Sequence, residues 1–248
     1  MKKLPIAMLG MAAGVAAGIA TYRLVVMPWW RSWGVVPEEA TGKLPGDELI
    51  PEAMSSETRG IMIDATPETI WPWLAQMGFG RAGWYSYDAI DTSHPSAQEV
   101  IPALQELKVG DLMPVAPGAG FEVKVLEPNR ALVLFADTAL MTRQADEARS
   151  RADTTPANLK VTGAFMQNAQ PEDFAASWAF VLEPQKSGGT RLIERVRTRF
   201  GESDKPWTRF TLPVMGFGVF VMVRRQMLGI KARVERGPIP RPEAVTAS

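Results

Sequence analysis

From Asp111 to Phe200 the apolar residues recur at every second position in several short runs, and the chain then closes on one long segment of helical character. That order constrains the fold most, because a half-buried sheet needs a second layer over its apolar face. Leu112–Val115, Phe121–Glu127 and Ala131–Asp137 read as strands, parted by the turn pairs Pro117-Gly118 and Pro128-Asn129. Phe174–Glu183 and Arg191–Phe200 flank Gly188-Gly189, a hairpin signal. Arg59–Asp64 alternates as an earlier strand. The final segment is Lys205–Arg236. Its uncharged stretch, Phe210–Val223, has fourteen residues, too few to cross a bilayer comfortably and suited to a buried core helix. Arg224, Arg225, Lys231, Arg233 and Arg236 complement the C-terminal end of the helix dipole, and Gly237-Pro238 stops the helix. The expectation is α+β: a curved antiparallel sheet of six or seven strands around a long C-terminal helix.

The remaining segments attach to that frame. Residues 33–58 carry Pro37, Gly42, Pro45, Gly46 and Pro51 and read as an extended linker that hugs the domain. Thr66 as N-cap, Pro67 at the first helical position and Glu68 in the first turn start a helix that Gly78 ends. Short helices are expected at Ser86–Ile90 and Pro102–Leu107. Residues 139–173, polar and irregular, read as a long inserted loop with one strand at Leu159–Phe165. The domain proper is 59–236, and 237–248 is expected to be a disordered tail.

The N-terminus, 1–32, has its own logic. Lys2 and Lys3 precede an uncharged run from Leu4 to Tyr22. Nineteen residues at about 1.5 Å each reach about 28 Å, close to the ~30 Å hydrocarbon core. Arg23 ends the run, and Trp29, Trp30 and Trp33 follow with Arg31 among them, the composition of an interfacial belt. The expectation is a membrane anchor over residues 4–26, a transmembrane helix in a bacterial cell membrane. A cleaved signal peptide and a soluble helix are the alternatives. Positive charge is nearly balanced across the run, with a slight preference for an N-terminus inside the cytoplasm.

Composition removes several function classes. Lys+Arg and Asp+Glu are 27 each, so no basic excess points to nucleic acid. There is no cysteine, which excludes thiolate catalysis and disulfides. His94 is the single histidine, so a His-rich metal site is excluded. Ser93, His94 and Ser96 are too close in one loop to form a nucleophile and its base, and no strand–turn–helix elbow is visible. No cofactor motif is present.

The stretches Ala65–Gly78, Gly80–Asp88, Ser177–Pro184, Gly189–Leu192 and Met227–Lys231 resemble bacterial proteins of the SRPBCC superfamily, the group of START lipid-transfer domains and polyketide cyclases. Trp33-Gly34 and Leu44–Asp47 belong to the same resemblance, which covers roughly residues 33–236. It implies a helix-grip fold, and a membrane-tethered branch of that group. It implies a cavity for a hydrophobic small molecule or lipid, and names no reaction.

Candidate site residues follow from the residues and that cavity together. Trp73, Trp84, Phe121 and Trp178 are apolar lining. Tyr85, Tyr87 and Asp88 lie in the rich segment Gly83–His94, where a hydroxyl and a carboxylate either orient a ligand head or only pack and cap turns. Arg195 and Arg197 share a strand face with Arg191, Ile193 and Arg199. That face is either solvent-exposed or turned inward as an anion clamp, and at least one of Arg195 and Arg197 is expected to reach the cavity. The functions to be separated are a carrier of lipid or small apolar molecules, a cyclase- or dehydratase-type enzyme, and a non-enzymatic membrane-bound interaction module.

Overall fold

The alternating runs become strands β1 (Ser55–Ile63), β2 (Leu112–Ala116), β3 (Ala119–Glu127), β4 (Ala131–Asp137), β5 (Phe174–Pro184) and β6 (Thr190–Phe200). They form one antiparallel sheet in the order β1-β6-β5-β4-β3-β2. The computed structural model describes residues 6–91, 94–150, 173–201 and 208–237. In chain order the helices are α1 (Ile6–Thr21), α2 (Met27–Arg31), α3 (Pro37–Thr41), α4 (Pro67–Ala75), α5 (Asp88–Asp91), α6 (Thr138–Ser150) and α7 (Thr208–Arg236). The architecture is therefore α+β, a six-stranded antiparallel sheet with a long C-terminal helix, consistent with a helix grip. The strand expected at Leu159–Phe165 and the tail from 238 lie outside the described residues.

Register assigns the two faces of the sheet. Leu192 pairs with Leu182 and Ile61, and Trp178 pairs with Leu134 and Val196, so these residues share one face. Against this inner face α7 buries Phe220, Val223, Met227, Ile230 and Val234. Their spacing of three and four residues is the stripe a helix needs to bury one side. Burying each large apolar side chain contributes about 1.5–3 kcal/mol. Helix α4 adds Ile70, Trp73 and Leu74 to the same core. Gly229 sets how closely α7 can lie: a Cβ there would meet the Tyr85 carbonyl oxygen.

The linker does more than connect. Residues 34–51 run across the outer face as a strap, with α3 and a 3₁₀ turn at Asp47–Leu49. Leu44 packs there on Val181 and Ile193, and Gly46 sits against Val133, where a Cβ would clash. Strand β1 then starts at Ser55, four residues earlier than the alternation alone suggested.

Two expectations change. Thr138–Ser150 is helical where a loop was expected. Asp137 caps it through the Leu140 amide at 2.8 Å. Gln144 holds it against β3, accepting from the Gly120 amide at 2.8 Å and donating to the Gly120 carbonyl at 3.1 Å. The anchor also differs in form. Among the described residues no helix is long and apolar enough to cross a membrane. Helix α1 is uncharged and exposed at each of its described side chains, and the backbone continues through a π turn at Tyr22–Val26 into α2, whose Trp30 is buried in the domain.

Candidate functional site

The inner face carries an aromatic group. The Trp178 ring on β5 stacks on Trp84 with centroids 5.2 Å apart and 16° between planes. Phe121 on β3 meets Trp178 edge-on at 6.0 Å, and Phe180 lies 5.1 Å away. Trp84 and Phe180 are buried, whereas Phe121 and Trp178 stay half-buried although they face α7. The helix thus leaves part of this aromatic floor uncovered. Trp73 stands apart from it, edge-on to Tyr85 at 5.7 Å.

A charged pair ends the group. Arg59 of β1 and Glu194 of β6 are direct cross-strand partners on the inner face, with 3.1 Å between Nη1 and Oε2. Both are fully buried. Arg59 Nε also donates to the Trp30 carbonyl at 3.3 Å, which ties α2 to the sheet. Its guanidinium lies 5.9 Å from the Trp30 ring and 5.7 Å from the Phe220 ring. The Trp178 indole N–H faces Glu194 and helps hold its charge, short of full hydrogen-bond geometry. Glu194 Oε1 has no hydrogen-bond partner among the described residues. Burial pushes this carboxyl up from its ordinary value, and Arg59 opposes that shift. Next along the same face, Glu57 accepts from Ser55 at 2.5 Å and lies 3.6 Å from Arg31.

The segment Gly83–His94 is built by capping and packing. Tyr85, at positive φ, donates its hydroxyl to the Trp73 carbonyl at 3.1 Å and accepts from Gln76 Nε2 at 2.9 Å. Burial pushes its pKa up, so the phenol stays protonated. Ser96 donates to Asp88 at 2.5 Å and accepts from the Tyr85 amide at 3.1 Å. The Tyr87 amide donates to Asp91 at 3.1 Å. The Tyr87 ring is exposed under Arg225. The Tyr85 hydroxyl and Asp88 thus have separate partners. Burial pushes the Asp91 carboxyl up, against a hydrogen bond from Ser86.

The arginines correct the inward expectation. Arg195 and Arg197 have the parity of Ile193, opposite to Trp178 and Leu192, and so lie on the outer face. They are not solvent-exposed there, because the strap covers them. Arg195 donates to Thr58 at 2.9 Å, Asp47 at 2.7 Å and the carbonyls of Gly42, Glu39 and Ala40. Arg197 donates to the carbonyls of Ile50 and Pro51. Arg191 grips Glu39 with two bonds of 2.7 and 2.8 Å, which hold that carboxyl below its ordinary range. The reason is stoichiometric: the strap supplies carbonyls and two carboxylates that satisfy the guanidinium forks, so no cavity anion is needed.

Sequence reasoning missed Arg59 and Glu194 as site residues. The signal was present, since each shares parity with flanking apolar residues: Ile61 and Ile63 for one, Leu192 and Val196 for the other. A charge at an inward position on two strands marks a pair.

A cleft of about 270 Å³ lies on the outer face, between the strap and the β4–α6 corner, lined by Ile50, Phe135, Thr138, Phe174 and Arg199 among others. The expected inner cavity involves Phe210–Val223, part of whose side chains lie outside the described residues. Among the described residues no group of acidic or histidine side chains is arranged to hold a metal ion.

No known family model matches the chain, and no curated protein matches it. Solved structures resemble it distantly. A protein of Mesorhizobium loti is 16% identical, with 75% of this chain and 100% of that chain covered and a TM-score of 0.36. A putative uncharacterized protein of Rhizobium leguminosarum is 9% identical, covering 73% and 95%, at 0.32. A Polyketide_cyc-like protein of Corynebacterium glutamicum, solved by solution NMR, is 16% identical, covering 73% and 87%, at 0.26. Likeness at this level says nothing of activity.

Proposed function

We propose that the chain binds a hydrophobic small molecule or lipid between its sheet and α7, at a membrane to which α1 tethers it. The observation that carries this reading is the aromatic floor of Trp84, Phe121 and Trp178, its last two rings partly uncovered, which ends on Glu194 Oε1, a buried acceptor that meets only the Trp178 indole N–H and in no full hydrogen bond. Leaving such a group unmade costs about 1–3 kcal/mol. A ligand with an elongated apolar body and one hydrogen-bond-donating head fits both features. The tether is supported by the uncharged, exposed surface of α1: Met11, Val15 and Ile19 all face outward.

A cyclase- or dehydratase-type enzyme is the alternative. It would use the same floor, with Glu194 rather than Tyr85 or Asp88 handling the proton, because burial already pushes that carboxyl toward proton uptake.

Equilibrium binding of a pyrene-labelled fatty alcohol to detergent-solubilised full-length chain tests the reading. Saturable binding is expected, weakened about tenfold or more by Trp178→Ala, a loss of about 1.4 kcal/mol. Absence of saturable binding, or indifference to Trp178→Ala, would sink it. Catalysis, if present, appears as conversion of a bound polyketide-like substrate that Glu194→Gln abolishes.

A further inference from the structure

We propose that the exposed face of α7 at Phe217, Gly218 and Val219, together with Trp29, is a second membrane-contact surface by which the domain itself rests on an anionic bilayer. This rests on the reading of α1 as a membrane tether and deepens it. By sequence Phe210–Val223 suits a buried helix, yet the structure turns Phe217, Gly218 and Val219 outward. Phe217 is 38% exposed and Val219 46%, beside Trp29 at 54%. The rings of Trp29, Trp33 and Phe217 gather round Phe220 at 5.3, 6.2 and 5.9 Å, and Val219 precedes it in α7. Leu24 and Val25, exposed in the π turn, continue the apolar surface along the chain toward α1. Contiguous apolar surface of this kind marks a contact site.

Its edges carry the charge a lipid surface takes. Arg23 and Arg224 are exposed and Arg31 is half-buried. The Arg224 guanidinium lies 5.0 Å over Trp33. Tryptophan and arginine bordering apolar surface are the side chains of a bilayer interface, and cations there match anionic headgroups. Position agrees with composition. Arg59 ties the Trp30 carbonyl to the sheet, and α2 packs against α7. A bilayer that holds α1 therefore meets this face of α7 at the level of Trp29.

The chain has no cysteine, so single-cysteine variants each carry one dye. Met11→Cys, Val219→Cys and, as an aqueous reference at an exposed position, Val109→Cys are labelled with a nitrobenzoxadiazole dye. Each full-length protein is reconstituted in phosphatidylcholine–phosphatidylglycerol vesicles, and melting curves confirm folding. Labels at 11 and 219 are expected to shift to the blue and to be quenched several-fold more by nitroxide lipid than by aqueous iodide, with the reverse at 109. If the label at 11 responds and that at 219 behaves like 109, the second surface is wrong and the tether stands. If the label at 11 also stays aqueous, the membrane reading falls and this surface with it. A label at 219 shielded from both quenchers would place a protein partner there and overturn the proposal.

Discussion

Gly229 and the Arg59–Glu194 pair show how much single positions decide. A Cβ on residue 229 would clash with the Tyr85 carbonyl oxygen, so α7 must move or Tyr85 must leave its positive φ. Gly229→Ala is expected to cost about 1–3 kcal/mol, read as a fall in Tm of about 2–4 °C per kcal/mol in a chain of this size. An unchanged Tm would mean the helix approach is looser than described. The buried ion pair obeys a different rule, because removing one partner strands the other charge. Glu194→Gln should cost about 3–5 kcal/mol in chemical denaturation. The double change Arg59→Met/Glu194→Leu should be markedly milder than Glu194→Gln. If the double change is the worse, the pair contributes net stability and its role as a polar end of a ligand site weakens.

At the scale of elements, the sheet was legible because alternation and turn pairs fix strands directly. Ala131–Asp137 agrees residue for residue, and β5 and β6 differ by one residue at an end. Helix α6 was not legible: its residues are mostly polar and charged, and side chains hold it to the sheet at single points, Gln144 on the backbone of Gly120 and Thr138 on that of Phe174, with Leu140 and Ala145 buried beneath it. The side of the sheet to which Arg195 and Arg197 belong was not legible either. Parity groups the residues of β6, but only the strap tells which group is covered by apolar core and which by carbonyls. Arg195→Met should therefore loosen residues 37–51 to protease while leaving apolar-probe binding nearly unchanged; a parallel loss of binding would return Arg195 to the ligand site. Acid should act on the same strap. Glu39 is held below its ordinary value of 4.5, so its contribution is present above that value and is lost as pH falls through the lowered one. Hydrogen exchange of residues 34–42 should rise over that acid range and should already be raised at neutral pH in Arg191→Met. Equal protection in both proteins at neutral pH would show that the Arg191–Glu39 fork does not hold the strap.

The whole molecule combines an exposed apolar helix, a strap-clamped outer face and an inner face whose aromatic floor ends on a buried carboxylate. Only the first was plain in the sequence. The aromatic residues were identified singly, but Trp84 meets Trp178 across 94 positions of chain, a contact that only pairing and the positive-φ turn at Tyr85 bring about. In high salt, which screens the cations beside the α7 surface, full-length protein should stay with membranes and a version starting near Met27, which keeps α2, should leave them; equal partitioning of the two in high salt would remove the tether. Binding on the inner face is the central claim. Native mass spectrometry of the full-length chain released from detergent, run beside Trp178→Ala, tests it most directly. The account predicts a discrete adduct of lipid-like mass on the wild-type protein and its loss from the variant. Bare protein in both, or the same adduct on both in equal amount, would contradict it.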